Sequence, residues 1–308
     1  MARKRRGEVI NGWIAVDKPQ GITAAKVVAR VKTAINAAKA GHGGTLDPLA
    51  TGVLPIALGA ATKTVNFAMD GRKTYEFDVL WGERTDTDDS DGSVTEVSDA
   101  RPAKAEIIEA LGGFTGQIEQ VPPDYSAVKV NGQRANDLAR NKQPLNLTAK
   151  TVTVHEFELI TALNSDRASF RVHCGKGTYV RALVRDLALA LGTLGHITRL
   201  RRTRCGPFIE NHAISLEKLE ALGHKAAASE YLLPVKTVLD DIPALALTAE
   251  EARRMTLGQS IALWPVVKRS AVPGLGQGTT VQALCEDKLI AVAEVGNGMV
   301  RPVRVLNT

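Results

Sequence analysis

The sequence predicts an α+β fold, a mixed sheet flanked by helices and followed by a smaller β-rich unit. Strand-like and helix-like segments alternate without a repeating βαβ rhythm. Two stripes of apolar residues at helical spacing carry a start or a stop signal. The last part of the 308-residue chain reads as strand around a glycine-rich loop. Taken in order, Ile10 to Asp17 is a strand closed by the turn Lys18-Pro19-Gln20-Gly21. Thr23 can cap a helix that places Val27, Val28, Val31 and Ile35 on one face. The glycine-rich loop Gly41 to Pro48 leads into the apolar run Val53 to Leu58, and Tyr75 to Leu80 alternates as a strand does. Arg84 to Gly92 contains no apolar residue and is expected to be exposed. Ala103 to Leu111 is a helix candidate, and Ser126 to Val130 a short strand before Asn131-Gly132. Thr151 to Leu159 and Ala168 to Cys174 are β-rich and lead to the turn Gly175-Lys176-Gly177. Val180, Leu183, Val184, Leu187 and Leu191 then form a helical stripe stopped by Gly192. Pro234 to Pro243 marks a boundary, dividing the chain into residues 1–238 and 239–308. Beyond it Thr248-Ala249-Glu250-Glu251 opens a short helix, and Gly274 to Gly278 is a loop among strands.

Hydrophobic residues make up 44% and charged residues 23%, a mix that supports a sizeable core. No run approaches the roughly 18 apolar residues of a membrane span. The basic start, Met1 to Gly7, is followed by no apolar stretch, so no secretory signal is expected. Cys174, Cys205 and Cys285 are odd in number and lack CxxC spacing, which suits a reduced, cytoplasmic chain. The net charge of +6 favours polyanionic partners. Its basic clusters are Arg3 to Arg6, a solvated tail or a contact, and Arg199, Arg201, Arg202 and Arg204, expected to touch phosphate.

Several motifs fail on inspection. Aligning Gly92 with the glycine of a calcium loop puts Thr87 first and Ser98 last, where carboxylates are required. Gly175-Lys176-Gly177-Thr178 lacks the upstream glycine and the hydroxyl after lysine that a phosphate loop needs. Gly274-Leu275-Gly276-Gln277-Gly278 lacks dinucleotide spacing, and the six histidines show no metal spacing. No metal, nucleotide or redox cofactor is implied.

Asp47 alone, before a proline in a glycine-rich loop, reads most simply as a turn residue satisfying backbone amides. The wider pattern points further. The segment Gly41-His42-Gly43-Gly44-Thr45-Leu46-Asp47-Pro48-Leu49-Ala50-Thr51-Gly52 resembles the signature of TruB-type pseudouridine synthases. Lys73-Thr74-Tyr75, Arg84 to Asp89, Pro122 to Lys129, Lys176 to Arg181 and Leu200-Arg201-Arg202 follow in that family's order. The match runs from about Gly12 to Phe208, and Leu289 to Val305 is similar to the family's PUA-like C-terminal domain.

The resemblance implies a mostly antiparallel central sheet, a catalytic domain with an RNA-clasping insertion around residues 125–150, and a PUA-like RNA-binding tail. It implies an isomerase that turns uridine into pseudouridine in the T-arm of tRNA, on a flipped-out nucleotide and without a cofactor. Asp47 would be the catalytic residue, either attacking C1′ or removing the C2′ proton. Arg181 would hold it ionised and in place. Tyr75 and Tyr179 would stack on the loosened base, at about 1–3 kcal/mol for one such contact, with Tyr75 also assisting loss of the C5 proton. His42 would fill the gap left by the nucleotide and Leu200 would wall the pocket. Lys176 and Asp89 would contact backbone or sugar. A monomer with no obligate protein partner is expected, and a tRNA-folding role can coexist. Asn136 stands where the family commonly has an aromatic residue, and Trp81 where a smaller apolar one is usual. An RNA-binding module and an RNA N-glycosylase are the other classes these features allow.

Overall fold

A computed structural model describes residues 7–222 and 228–306; the Arg3 to Arg6 cluster lies outside them. The elements begin with β1 (Gly12–Lys18), α1 (Ala24–Ala34), β2 (Ala40–His42), β3 (Thr51–Leu58), α2 (Val65–Asp70), β4 (Lys73–Trp81), β5 (Glu83–Thr85) and β6 (Val94–Val97). They continue with α3 (Lys104–Leu111), β7 (Gly116–Gln120), β8 (Lys129–Val130), β9 (Gln133–Arg134), α4 (Ala135–Arg140), β10 (Lys150–Ala162), β11 (Arg167–Cys174), α5 (Val180–Ala190) and β12 (Gly195–Cys205). The remainder is β13 (Phe208–Ile209), β14 (Ile214–Ser215), α6 (Leu216–Ala221), β15 (Ala244–Ala246), α7 (Ala249–Thr256), β16 (Ile261–Ala262), α8 (Leu263–Ser270), β17 (Thr280–Cys285), β18 (Lys288–Gly296) and β19 (Met299–Val305).

The main sheet has the order β14-β1-β3-β12-β4-β11-β10-β7, with β2 on β3 and β13 on β12. Only β1 with β14 and β3 with β12 run parallel. The sheet is therefore mixed and mostly antiparallel, as expected. A second sheet, β15-β17-β18-β19-β16, forms the β-rich C-terminal unit.

Residue type explains where the core lies. β1 and β3 are apolar on both faces: Ile14, Val16, Leu54 and Ile56 join the core under α1 and α5, while Trp13, Ala15, Val53 and Ala57 face a second core with Leu289, Val292 and Leu306. β4 and β11 are apolar on one face only. Their solvent side carries the ion pairs Arg171–Glu76, Arg171–Glu158 and Arg199–Asp78. Thr23 caps α1 as expected, its hydroxyl accepting from the Lys26 amide at 3.2 Å. Thr248 and Glu251 cap α7 reciprocally. Asn131 and Gly132, both at positive φ, make the tight turn between β8 and β9.

The structure corrects several expectations. The segment Arg84 to Gly92 is not uniformly exposed, because Thr85, Asp88 and Asp89 are buried. Its carboxylates leave water because arginines of α5 meet them, Arg185 at 3.3 Å from Asp88 and Arg181 at 3.6 Å from Asp89. The arginine-rich stretch after Thr198 is a central strand, β12, and its guanidiniums have internal partners. Arg199 pairs with Asp78, Arg201 with Asp17 and Glu210, and Arg204 bonds the Gly206 carbonyl. Arg202 is fully buried. Burial removes Arg202 from any phosphate contact, whereas Arg199 and Arg204 remain exposed beside their partners. The stretch Pro234 to Pro243, read as a boundary, contributes Val235 and Leu239 to the second core. Trp81 fits because Gly195 lies opposite it; a Cβ there would come within 2.9 Å of the indole.

Candidate active site

Asp47 lies in the loop between β2 and β3, and the loop is pinned from beneath. Arg202 donates to the carbonyls of Gly44 at 3.1 Å, Thr45 at 3.3 Å and Val53 at 2.8 Å. Lys18, also fully buried, donates to the carbonyls of Pro19 at 2.9 Å and Pro48 at 3.1 Å. Burial pushes the Lys18 ammonium down to about 8, with Asp47 pulling the other way. Gly52 permits the close approach of β3 to β12. Its φ is +96°, and a Cβ there would stand 2.2 Å from the Arg202 carbonyl. Gly43 is needed for packing too, since a Cβ there would stand 2.8 Å from the Ala68 methyl.

Arg181 enters from the first turn of α5, where the apolar stripe of that helix fixes its direction. Its Nε donates to Asp47 Oδ2 at 3.0 Å, and its Nη2 lies 2.9 Å from the same oxygen. Both contacts fall on one carboxylate oxygen instead of bridging the two. The guanidinium also donates to the carbonyls of Thr87 at 2.8 Å and Tyr125 at 2.9 Å. Its side chain is 4% exposed against 37% for Asp47. The cation is therefore held by the fold, while the carboxylate it orients stays open to a ligand. The aspartate is less enclosed than a water-excluding pocket would require.

Asp89 approaches the same Nε of Arg181 as Asp47 does, at 3.6 Å. Its carboxylate accepts from the Thr87 hydroxyl at 2.6 Å and the Asp91 amide at 3.1 Å. Burial raises its pKa above the usual carboxylate value, partly offset by Thr87 and Arg181. Its partners are protein groups, so it braces Arg181 more directly than it could touch a sugar.

Tyr75 lies on β4 opposite Arg202, whose guanidinium sits 6.0 Å from the ring centre. Burial pushes its phenol up to about 12, so at neutral pH it is a hydroxyl donor. Tyr179 precedes α5, and its phenol is likewise raised, first by burial, with Ser126 drawing it back. Leu200 is buried on the same face of β12 as Arg202 and joins the main core. His42 ends β2; its pKa is lowered by burial and then by Arg202, which keeps the ring neutral. Among the described residues its Nδ1 is buried without a hydrogen-bond partner. Lys176 is exposed, and its ammonium lies 2.8 Å from Asp70 instead of at the Asp47–Arg181 pair. Asn136 donates its backbone amide to the Ser126 carbonyl at 3.1 Å, while its Oδ1 is buried and unpartnered among the described residues.

The sequence singles out neither Lys18 nor Gln120, and reads Arg202 only as a phosphate contact; all three instead bond main-chain groups of the site. The turn Lys18-Pro19 was the only signal for the first. Between β7 and β10, Lys129, Arg134, Arg140 and Lys142 are exposed and, among the described residues, make no ion pair. Among the described residues no group of His, Cys, Asp and Glu is arranged to hold a metal ion, and no helix is long and apolar enough to cross a membrane.

The chain is similar to known proteins along its length. A family model described as TruB family pseudouridylate synthase (N terminal domain) matches residues 32–180, and one described as tRNA pseudouridylate synthase B C-terminal domain matches residues 181–240. The tRNA pseudouridine synthase B of Rhodospirillum rubrum is 53% identical over 307 residues, covering 100% of both chains. That of a Caulobacter species is 51% identical over 306 residues, covering 99% of both. A solved H/ACA ribonucleoprotein bound to a substrate RNA containing 2′-deoxyuridine includes a chain with the same fold. The TM-score is 0.73 at 24% identity, over 100% of this chain and 92% of that one.

Proposed function

The chain belongs to the TruB family of pseudouridylate synthases, and on that premise we propose that it isomerises uridine to pseudouridine in the T-arm of tRNA, at position 55. The observation that carries the reading is the Asp47–Arg181 pair: a half-open carboxylate aimed by a buried guanidinium that is itself bonded to two main-chain carbonyls. The reaction breaks the N1–C1′ bond, turns the uracil and joins C5 to C1′, with loss of the C5 proton and gain of a proton at N1. It exchanges no electrons with a cofactor. Asp47 is the catalytic residue, attacking C1′ or removing the C2′ proton.

A nucleotide must leave its stack to reach Asp47, at an expense of a few kcal/mol. Tyr179 and Tyr75 offset this by holding the base, and the neutral ring of His42, with an unbonded nitrogen, suits the vacated gap. The Tyr75 phenol, protonated at neutral pH, can receive the C5 proton only as it passes on its own. Leu200 forms the apolar floor. The exposed cations Lys129, Arg134, Arg140 and Lys142 give the insertion its hold on phosphate. The β-rich tail acts as a PUA-like RNA-binding domain, with the division near residue 238. The protein works in the cytoplasm as a monomer, and tRNA folding is compatible with the same surface.

One assay tests the reading. The protein is incubated with tRNA tritiated at uracil C5 and the label is followed. Tritium released to water without free base supports the synthase. Free labelled uracil would indicate a glycosylase, and no release a binding module only.

A further inference from the structure

Gln120 is 2% exposed at the end of β7, where its backbone pairs with Lys150 of β10. Its side-chain amide reaches the main chain of Tyr179. Oε1 accepts from the Tyr179 amide at 2.8 Å, and Nε2 donates to the Tyr179 carbonyl at 3.1 Å. A primary amide carries the same donor and acceptor as a peptide group, so this side chain pairs with Tyr179 as a neighbouring strand would. Tyr179 is held extended, at φ −100° and ψ 111°, at the point where α5 departs. Its carbonyl also accepts from the Leu183 amide at 3.1 Å, which ties the same peptide to the helix ladder.

The consequence falls on two site residues at once. The backbone of Tyr179 sets where its ring points, and the first turn of α5 sets the direction of Arg181. The segment after Gln120 is laced to the same helix, since Arg185 donates to the Val121 carbonyl at 2.8 Å and Arg181 to the Tyr125 carbonyl at 2.9 Å. Gln120 is the member of this lacing whose bonds end on the backbone of a site residue. We propose that Gln120 is a positioning residue of the reaction: its amide fixes the Tyr179 main chain and thereby aims the Tyr179 ring at the base and the Arg181 guanidinium at Asp47. The inference rests on the pseudouridine-forming function proposed above.

Two substitutions test it. Gln120→Met keeps the volume and removes both bonds. Gln120→Glu when ionised can accept from the Tyr179 amide but cannot donate to its carbonyl; when protonated it can do both. The Met variant is expected to bind tRNA about as tightly as the unsubstituted protein while kcat falls by about 10–100-fold, the scale of a misplaced catalytic group. The Glu variant should be equally slow near pH 8, and its rate relative to the unsubstituted protein should recover toward pH 6. Burial keeps such a carboxyl titrating in that range. If the Met variant fails to fold, the pH profile of the Glu variant carries the test.

An unchanged kcat in the folded Met variant overturns the proposal. So does a loss confined to tRNA affinity, or a Glu variant whose relative rate ignores pH. If the unsubstituted protein forms no pseudouridine, the functional reading itself fails and takes this inference with it. If that protein is active and the variants are too, only the role of Gln120 falls.

Discussion

Replacing Arg181 by lysine keeps the charge and removes the planar fork. The guanidinium uses Nε and Nη2 on Asp47, Nη1 on the Thr87 carbonyl and Nη2 again on the Tyr125 carbonyl, all within 3.0 Å. An ammonium is a single point and cannot occupy those positions together. If it follows Asp47, the two carbonyls lose their donors; if it stays with them, Asp47 loses its fixed geometry. Bonds to a charged group are worth about 1.5–3 kcal/mol each. Losing two, with water recovering part, gives a net deficit of about 3 kcal/mol, or about 100-fold if it falls on the transition state. Single-turnover tritium release, beside a tRNA-binding titration and a melting curve, reads the three consequences separately. The expected result is a rate about 100-fold lower with tRNA affinity little changed. An Arg181→Lys variant that turns over at the unsubstituted rate refutes the idea that the fork geometry matters.

Tyr75→Phe removes a hydroxyl that burial keeps protonated; it should retain tRNA binding and slow turnover by about 100-fold, and full activity would leave Tyr75 as packing only. Lys18 titrates near 8 in the fold and near 10.5 when unfolded. The unfolded chain therefore binds this proton more tightly, and stability from this group rises with pH between those values. The melting temperature of the unsubstituted protein should climb relative to Lys18→Met across that window, and a flat difference would contradict it. Gly195→Ala brings a Cβ to 2.9 Å from Trp81; destabilisation by about 1–3 kcal/mol is expected, with Trp81→Leu in the same chain restoring the melting temperature. No change on the single substitution would show that the indole yields freely.

The sequence was most legible where one physical rule acted alone. Thr23 capped α1, the alternation of Tyr75 to Leu80 marked β4, and the stripe from Val180 to Leu191 marked α5. The loop of Asp47 was legible through its resemblance to a family signature, and the 134 residues separating it from Arg181 in sequence were bridged only in that way. Periodicity failed where charge was buried. Arg202 points inward beside Leu200, so β12 does not alternate as a solvated strand should. Asp88 and Asp89 look like loop carboxylates until α5 supplies arginines for them. Gln120 left no pattern, and Lys18 only the turn it opens, because their partners are main-chain groups, which every residue carries. The short strand read at Ser126 to Val130 shrank to Lys129–Val130, since Ser126 is instead buried beside Tyr179 and Asn136.

The most direct test is the rate of pseudouridine formation by Asp47→Asn in single turnover with excess enzyme. Asparagine matches the shape of the side chain and can still meet Arg181, but it carries no negative oxygen to act on the ribose. Full tRNA binding with no detectable pseudouridine is the expected result. Product forming within about tenfold of the unsubstituted rate, a difference of only about 1.4 kcal/mol in the barrier, would contradict the assignment of the chemistry to this carboxylate.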